Sequence, residues 1–116
     1  MLVKTMDEVP REAVTAGTKT YKQVLISSTE APHFAMRRFI IEPGGSMPKH
    51  TNTVEHEQLV LRGRAKIGIG DQIIEVQKDN VLLIPAGVPH WYRTIGNEPF
   101  EFLCMVPNLE DKIELA

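Results

Sequence analysis

The feature that most restricts this chain is a succession of short apolar runs, each closed off by turn formers. The runs are YKQVLIS (21–27), AMRRFIIE (35–42), EHEQLVL (55–61), RAKIGIG (64–70), QIIEV (72–76), NVLLIP (80–85), HWYRTI (90–95) and FEFLCMV (100–106). Between them stand Pro43-Gly44-Gly45, Arg62-Gly63, Gly70-Asp71, Pro85-Ala86-Gly87 and Gly96-Asn97-Glu98-Pro99. These are residues that set turn dihedrals or tolerate positive φ. Strand-like runs at such regular spacing predict an all-β sandwich or barrel. Gly70-Asp71 suits a two-residue hairpin turn, with glycine at the position that needs positive φ. No long helical periodicity is present, and the tail Leu109–Leu115 is expected to form one or two helical turns.

With 116 residues, 42 % of them hydrophobic, the chain can bury one core, and residues 1–116 are read as one domain. Thirteen basic against 15 acidic residues leave a net charge of −2, which argues against nucleic acid or an anionic membrane as partner. The densest basic set, Arg62, Arg64 and Lys66, alternates as the solvated face of a strand would. Cys104 is the only cysteine, so no internal disulfide can form, in keeping with a reducing compartment. The start, MLVKTMDEVPRE, lacks the apolar run of a signal peptide. No apolar stretch approaches the roughly 20 residues of a membrane span. A cytoplasmic location is the expectation.

The chemistry lies in the histidines. His50, Asn52 and His56 fall within GGSMPKHTNTVEHEQLVLRG, and His90 follows in IPAGVPHW. Residues two apart on a strand share a face, so His50 and Asn52 point the same way if that piece is extended, and His56 keeps the parity. His90 would have to come from a facing strand. Imidazole is the commonest protein ligand for divalent transition metals. Taken singly, each histidine is equally well explained as an ordinary core or surface residue; His33, in a loop between Pro32 and Phe34, is read as surface.

The frame around these residues resembles the cupin family. The first cupin motif reads glycine, five residues, His-x-His, three or four residues, Glu, six residues, glycine. Gly44, His50, Asn52, His56 and Gly63 keep that spacing. The second motif centres on Pro-x-Gly, two residues, His, and Pro85-Ala86-Gly87-Val88-Pro89-His90 matches it. The motifs cover 44–63 and 79–97. Four positions depart from the pattern: Asn52 stands for the second histidine, His56 for the glutamate, Asp79 for the opening glycine of the second motif and Thr94 for its final asparagine. In four-histidine members a histidine takes the glutamate's place. The resemblance therefore implies His56 as a ligand, with Glu55 and Glu57 turned away. Asn52 would offer its carbonyl oxygen, a weaker donor than imidazole.

The resemblance implies a double-stranded β-helix, or jelly-roll, barrel. It also implies one divalent transition metal per chain on His50, His56, His90 and Asn52, with manganese or iron ahead of nickel, copper or zinc. A homodimer formed through N-terminal strands is implied too. Three neutral imidazoles leave a divalent charge uncompensated, so an anionic extra ligand is expected: hydroxide, peroxide, a carboxylate or an enolate. Open coordination positions are the mark of catalytic metal. Tyr92 shares parity with His90, and Phe100, Phe102, Cys104 and Val106 share a face opposite Glu101. Tyr92, Phe102, Cys104, Met47 and Arg37 are the substrate-contact candidates. Core packing or surface ion pairing explains each as well, and Trp91 is expected to face outward. No general base is evident. The expected activity is that of a metal-dependent oxygenase or related oxidative enzyme on a small organic molecule. A non-catalytic metal- or ligand-binding cupin, a metal-dependent isomerase and a metal-free barrel are the alternatives.

Overall fold

The structure, a computed structural model describing residues 1–116, is built almost wholly of antiparallel strands. A short 3-10 turn (Met6–Glu8) precedes β1 (Glu12–Ala13), β2 (Thr18–Ile26), β3 (Phe34–Asn52), β4 (His56–Arg62) and β5 (Arg64–Ile69). There follow β6 (Gln72–Gln77), β7 (Val81–Ile84), β8 (His90–Ile95), β9 (Phe100–Pro107) and β10 (Ile113–Leu115). Hydrogen bonding runs in the order β6-β5-β8-β3-β9-β4-β7, with β2 and β10 also paired to β3. Neighbours so far apart in sequence are the mark of the jelly roll, and the all-β barrel expectation holds. No helix is long and apolar enough to cross a membrane.

Each run read from the sequence forms a strand, and Gly70 turns the β5–β6 hairpin at φ +58. Two expectations are corrected. Pro43-Gly44-Gly45 does not end a strand but lies within β3. Gly44, at φ +81, bends the strand without stopping it. The first half of β3 pairs with β2 and β9, and the second half with β8. The second correction concerns the tail, which forms a strand where helical turns were expected. Ile113 lies opposite Asn52, Glu114 opposite Thr51 and Leu115 opposite His50. Unpaired backbone groups along that edge of β3 are better satisfied by a strand than by an isolated helical turn.

Alternation explains the core. His56, Gln58 and Val60 of β4 are buried, as are His90, Tyr92 and Thr94 of β8 and Ala65 and Ile67 of β5. Arg62, Arg64 and Lys66 are exposed, as the period-2 pattern required. β9 is buried along its whole inner face and at Glu101 on the outer one. Phe100, Phe102, Cys104 and Val106 face inward, while Glu101, on the opposite face, is buried beneath Arg38 and Arg62. Arg38 in turn bonds Asp7 and Gln23, and Gln23 Nε2 donates to the Met6 and Val9 carbonyls. The N-terminal segment is thereby tied over the outer face of β2 and β3.

Gly63, which closes the first histidine segment, has φ +77, and a Cβ there would lie 2.2 Å from the Pro99 carbonyl oxygen. Left-handed backbone and a clash with main chain act together. Gly63→Ala is expected to lower stability by about 2–4 kcal/mol, read from the urea midpoint; an unchanged midpoint would show that the 96–99 loop yields freely.

Candidate functional site

β3 and β8 bring His50 and His90 directly opposite each other. Between the Met47–Tyr92 and His50–His90 pairs, β3 spends one more residue than β8. A bulge of this kind re-aims a side chain, and the two imidazole centroids stand 4.2 Å apart. Each ring is steered by a carbonyl two residues upstream. His50 Nδ1 lies 2.7 Å from the Pro48 oxygen, and His90 Nδ1 lies 2.9 Å from the Val88 oxygen. A ring nitrogen facing a carbonyl must carry the proton, which leaves Nε2 as the lone-pair nitrogen of both rings. The Pro85–Pro89 turn that supplies Val88 is fixed by Gly87, at φ +78, whose N–H donates to Asn52 O at 2.8 Å. The two histidine segments are thus bonded to each other.

His56 reaches the same space from β4, its centroid 6.3 Å from that of His90. Its Nε2 stands 3.4 Å from Asp111 Oδ2, and its Nδ1 3.4 Å from Cys104 Sγ. Burial pushes the His56 pKa down to about 4, with the Arg37 cation adding to the shift; the Asp111 charge pulls the other way without offsetting it. Burial lowers His90 as well. Both rings are therefore neutral at pH 7, the form in which imidazole donates to metals. Asn52 is buried on the same side; its Nδ2 donates to Asp111 Oδ2 at 3.3 Å, and its Oδ1 has no hydrogen-bond partner. A buried acceptor without a donor is costly unless a cation or water completes it. Two free Nε2 atoms, a third neutral imidazole and this orphan carbonyl form a donor set that fits a divalent transition-metal ion. In the present arrangement no three His, Cys, Asp or Glu side chains are drawn together tightly enough to make a finished coordination group.

These donors line one side of a cavity of about 80 Å3, space for a few waters. Phe39, Met47, Tyr92 and Phe102 line much of the rest, together with Arg37, Lys22, Gln58, Val14 and Ile113. The Phe39 and Tyr92 rings stack on Phe102 at 5.2 and 5.1 Å. Tyr92 Oη donates to Gln58 Oε1 at 3.1 Å and accepts from Gln58 Nε2 at 2.8 Å. Burial raises its phenol far above the ordinary value, so it stays protonated. The Cys104 thiol is fully buried and likewise pushed up by burial, and stays a thiol. Arg37 stands over the Phe39 ring at 5.1 Å, with Nη2 3.4 Å from Cys104 Sγ and a buried Nε lacking any partner.

The residues read from the sequence as site candidates — His50, Asn52, His56, His90, Tyr92, Phe102, Met47 and Arg37 — all line this cavity, and Cys104 contacts it from behind. His33 is exposed in its loop. Trp91 is half-buried on the outer side, over Gly68 and under Arg93. Six residues escaped the sequence reading: Val14, Lys22, Phe39, Gln58 and Ile113 in the cavity wall, and Asp111 beside it. Gln58 shares parity with His56, and Phe39 with Arg37, so alternation alone could have found both. Asp111 gave no such signal.

The cupin domain family matches residues 37–106. Among curated proteins, the 1-methylthio-D-xylulose 5-phosphate methylsulfurylase of Rhodospirillum rubrum is 30 % identical over 80 residues, 69 % of this chain and 51 % of that protein. The chain thus spans about half the length of this relative. Among solved structures, the polyketide cyclase RemF from Streptomyces resistomycificus superposes with a TM-score of 0.92 at 28 % identity, over 100 % of this chain and 85 % of that one. A cupin-2 domain from Rhodospirillum rubrum gives 0.80 at 27 % identity, over 93 % and 72 % of the two chains.

Proposed function

The chain belongs to the cupin domain family, and on that premise we propose that it is a divalent-metal-dependent enzyme acting on the anionic form of a small planar organic molecule. One observation carries the reading: imidazoles whose Nε2 atoms have no hydrogen-bond partner share a single cavity with a guanidinium that has no carboxylate partner. His50, His56 and His90, with Asn52, would hold the ion, which supplies Lewis acidity to a substrate oxygen when bound.

The other residues have distinct roles. Arg37, poised over Phe39, would take an enolate, phenolate or carboxylate oxygen through charge-assisted hydrogen bonds. The stacked layer of Phe39, Phe102 and Tyr92 offers a flat apolar wall to a conjugated ring or polycarbonyl chain. Gln58 holds the Tyr92 hydroxyl, so that side of the cavity presents no base. An enolate is stabilised by a Lewis acid, a cation and a dry wall: Arg37 and the aromatic layer supply the last two, and a bound ion would supply the first. This favours isomerisation or cyclisation of an enolisable carbonyl compound over the oxidative chemistry expected from the sequence. The full-length likeness to a polyketide cyclase supports the same choice.

The test is turnover of a panel of β-dicarbonyl and phenolic compounds by protein reconstituted with Mn2+, Fe2+, Ni2+ or Zn2+, in air and under argon. Equal rates in air and argon are the expected outcome. Stoichiometric oxygen uptake would restore the oxygenase reading. Tight metal binding without turnover of any compound would leave a binding cupin.

A further inference from the structure

The Asp111 carboxylate reaches two of the cavity's donors, Asn52 and His56, from a segment that the cupin motifs do not include. Its Oδ1 accepts the Thr53 N–H at 3.0 Å. Its Oδ2 is turned inward, 3.3 Å from Asn52 Nδ2 and 3.4 Å from His56 Nε2. Both inward contacts are long for charge-assisted hydrogen bonds, so this oxygen faces the donor set without being consumed by it. The side chain is only 21 % exposed.

The backbone around Asp111 is anchored on both sides. Thr53 Oγ1 donates to the Glu110 carbonyl at 2.9 Å and accepts the Lys112 N–H at 2.8 Å. Immediately beyond, Ile113–Leu115 are paired to Asn52, Thr51 and His50 of β3, and Ile113 forms part of the cavity wall. One short stretch of chain therefore supplies part of the cavity wall and sets a carboxylate beside His56 and Asn52.

The imidazoles and the amide contribute no charge to offset a divalent cation, and the sequence called for an anionic extra ligand. We propose that Asp111 is that anionic donor, carried on the C-terminal segment, so that docking of β10 and binding of the metal ion are thermodynamically linked. This rests on the metal reading above. It adds a ligand from outside both motifs and makes the closing segment part of the centre.

Mn2+ titration followed by electron paramagnetic resonance tests the proposal without any need for turnover. Asp111→Asn preserves size and the bond to Thr53 but removes the charge. It is expected to weaken Mn2+ binding by at least the roughly 10–100-fold that losing an outer-shell partner costs. Added acetate should restore part of the affinity of Asp111→Ala and leave the unsubstituted protein unchanged. Because docking and binding are linked, Mn2+ should slow carboxypeptidase trimming of the last residues, and should not do so in Asp111→Asn.

The alternative outcomes are separable. Asp111→Asn binding Mn2+ as tightly as the unsubstituted protein would overturn the Asp111 assignment and leave the imidazole centre standing. Loss in Asp111→Ala but not in Asp111→Asn would reduce Asp111 to a group that orients His56, overturning the proposal. An unsubstituted protein that takes up no Mn2+, Fe2+, Ni2+ or Zn2+ would overturn this proposal and the metal reading together.

Discussion

His90→Ala is expected to lower affinity for a divalent transition metal by more than the roughly 100-fold that loss of an outer-shell partner costs. His50→Ala should behave alike. The reason is geometric. Each ring is held by a carbonyl two residues upstream, at 2.9 Å for His90 and 2.7 Å for His50. These bonds fix both tautomer and direction, so no other side chain can replace the lost nitrogen by a small rotation. His33→Ala, in an exposed loop, is the matched control and should keep its metal. Asn52→His, which exchanges a weak amide donor for an imidazole, should keep or tighten binding. The measurement is elemental analysis of protein purified without an affinity tag. Unchanged metal content in both alanine variants at 50 and 90 would refute the ligand assignment, and weaker binding by Asn52→His would show that the fourth donor position lies elsewhere.

Glu101→Ala is expected to produce the largest loss of stability, about 3–5 kcal/mol, because it strands a buried guanidinium. Arg38 and Glu101 are in direct contact with side chains only 10 % and 6 % exposed. Asp7, the other carboxylate on Arg38, is 83 % exposed and cannot compensate in full. Domains of this size are stable by about 5–15 kcal/mol in total, so the variant should lie near its unfolding threshold. The paired substitution Arg38→Met with Glu101→Leu removes both charges and should recover most of the loss. Urea denaturation of the single and double variants reads the difference. Equal destabilisation in both would mean that shape, not charge, sets the cost. High salt should change little, since screening acts weakly on a buried pair.

Much of this protein can be read in its sequence because strand alternation is a strict period. Once EHEQLVL and HWYRTI are taken as strands, the inward direction of His56, Gln58, His90 and Tyr92 follows, and the structure buries all four. The spacing of Gly44, His50, His56 and Gly63 carried the fold family for a related reason. Asp79 stands where the second motif has glycine, and it takes φ +74: the left-handed conformation is kept, and an aspartate tolerates it better than most residues. The corner in β3 could not be read, since Pro-Gly-Gly signals a turn and a strand bend with the same residues. Nor could Asp111. Its position depends on Thr53 and the edge of β3, partners remote in sequence, and nothing in LEDKIEL states that the segment will dock there.

β3 has a consequence for how damage spreads. From residue 34 to 52 it is bonded first to β2 and β9 and then to β8 and β10. The two walls of the barrel thus share one beam. Neither wall can be shed while the other stays intact, and a fault introduced at one end of that beam is transmitted to the histidine at the other.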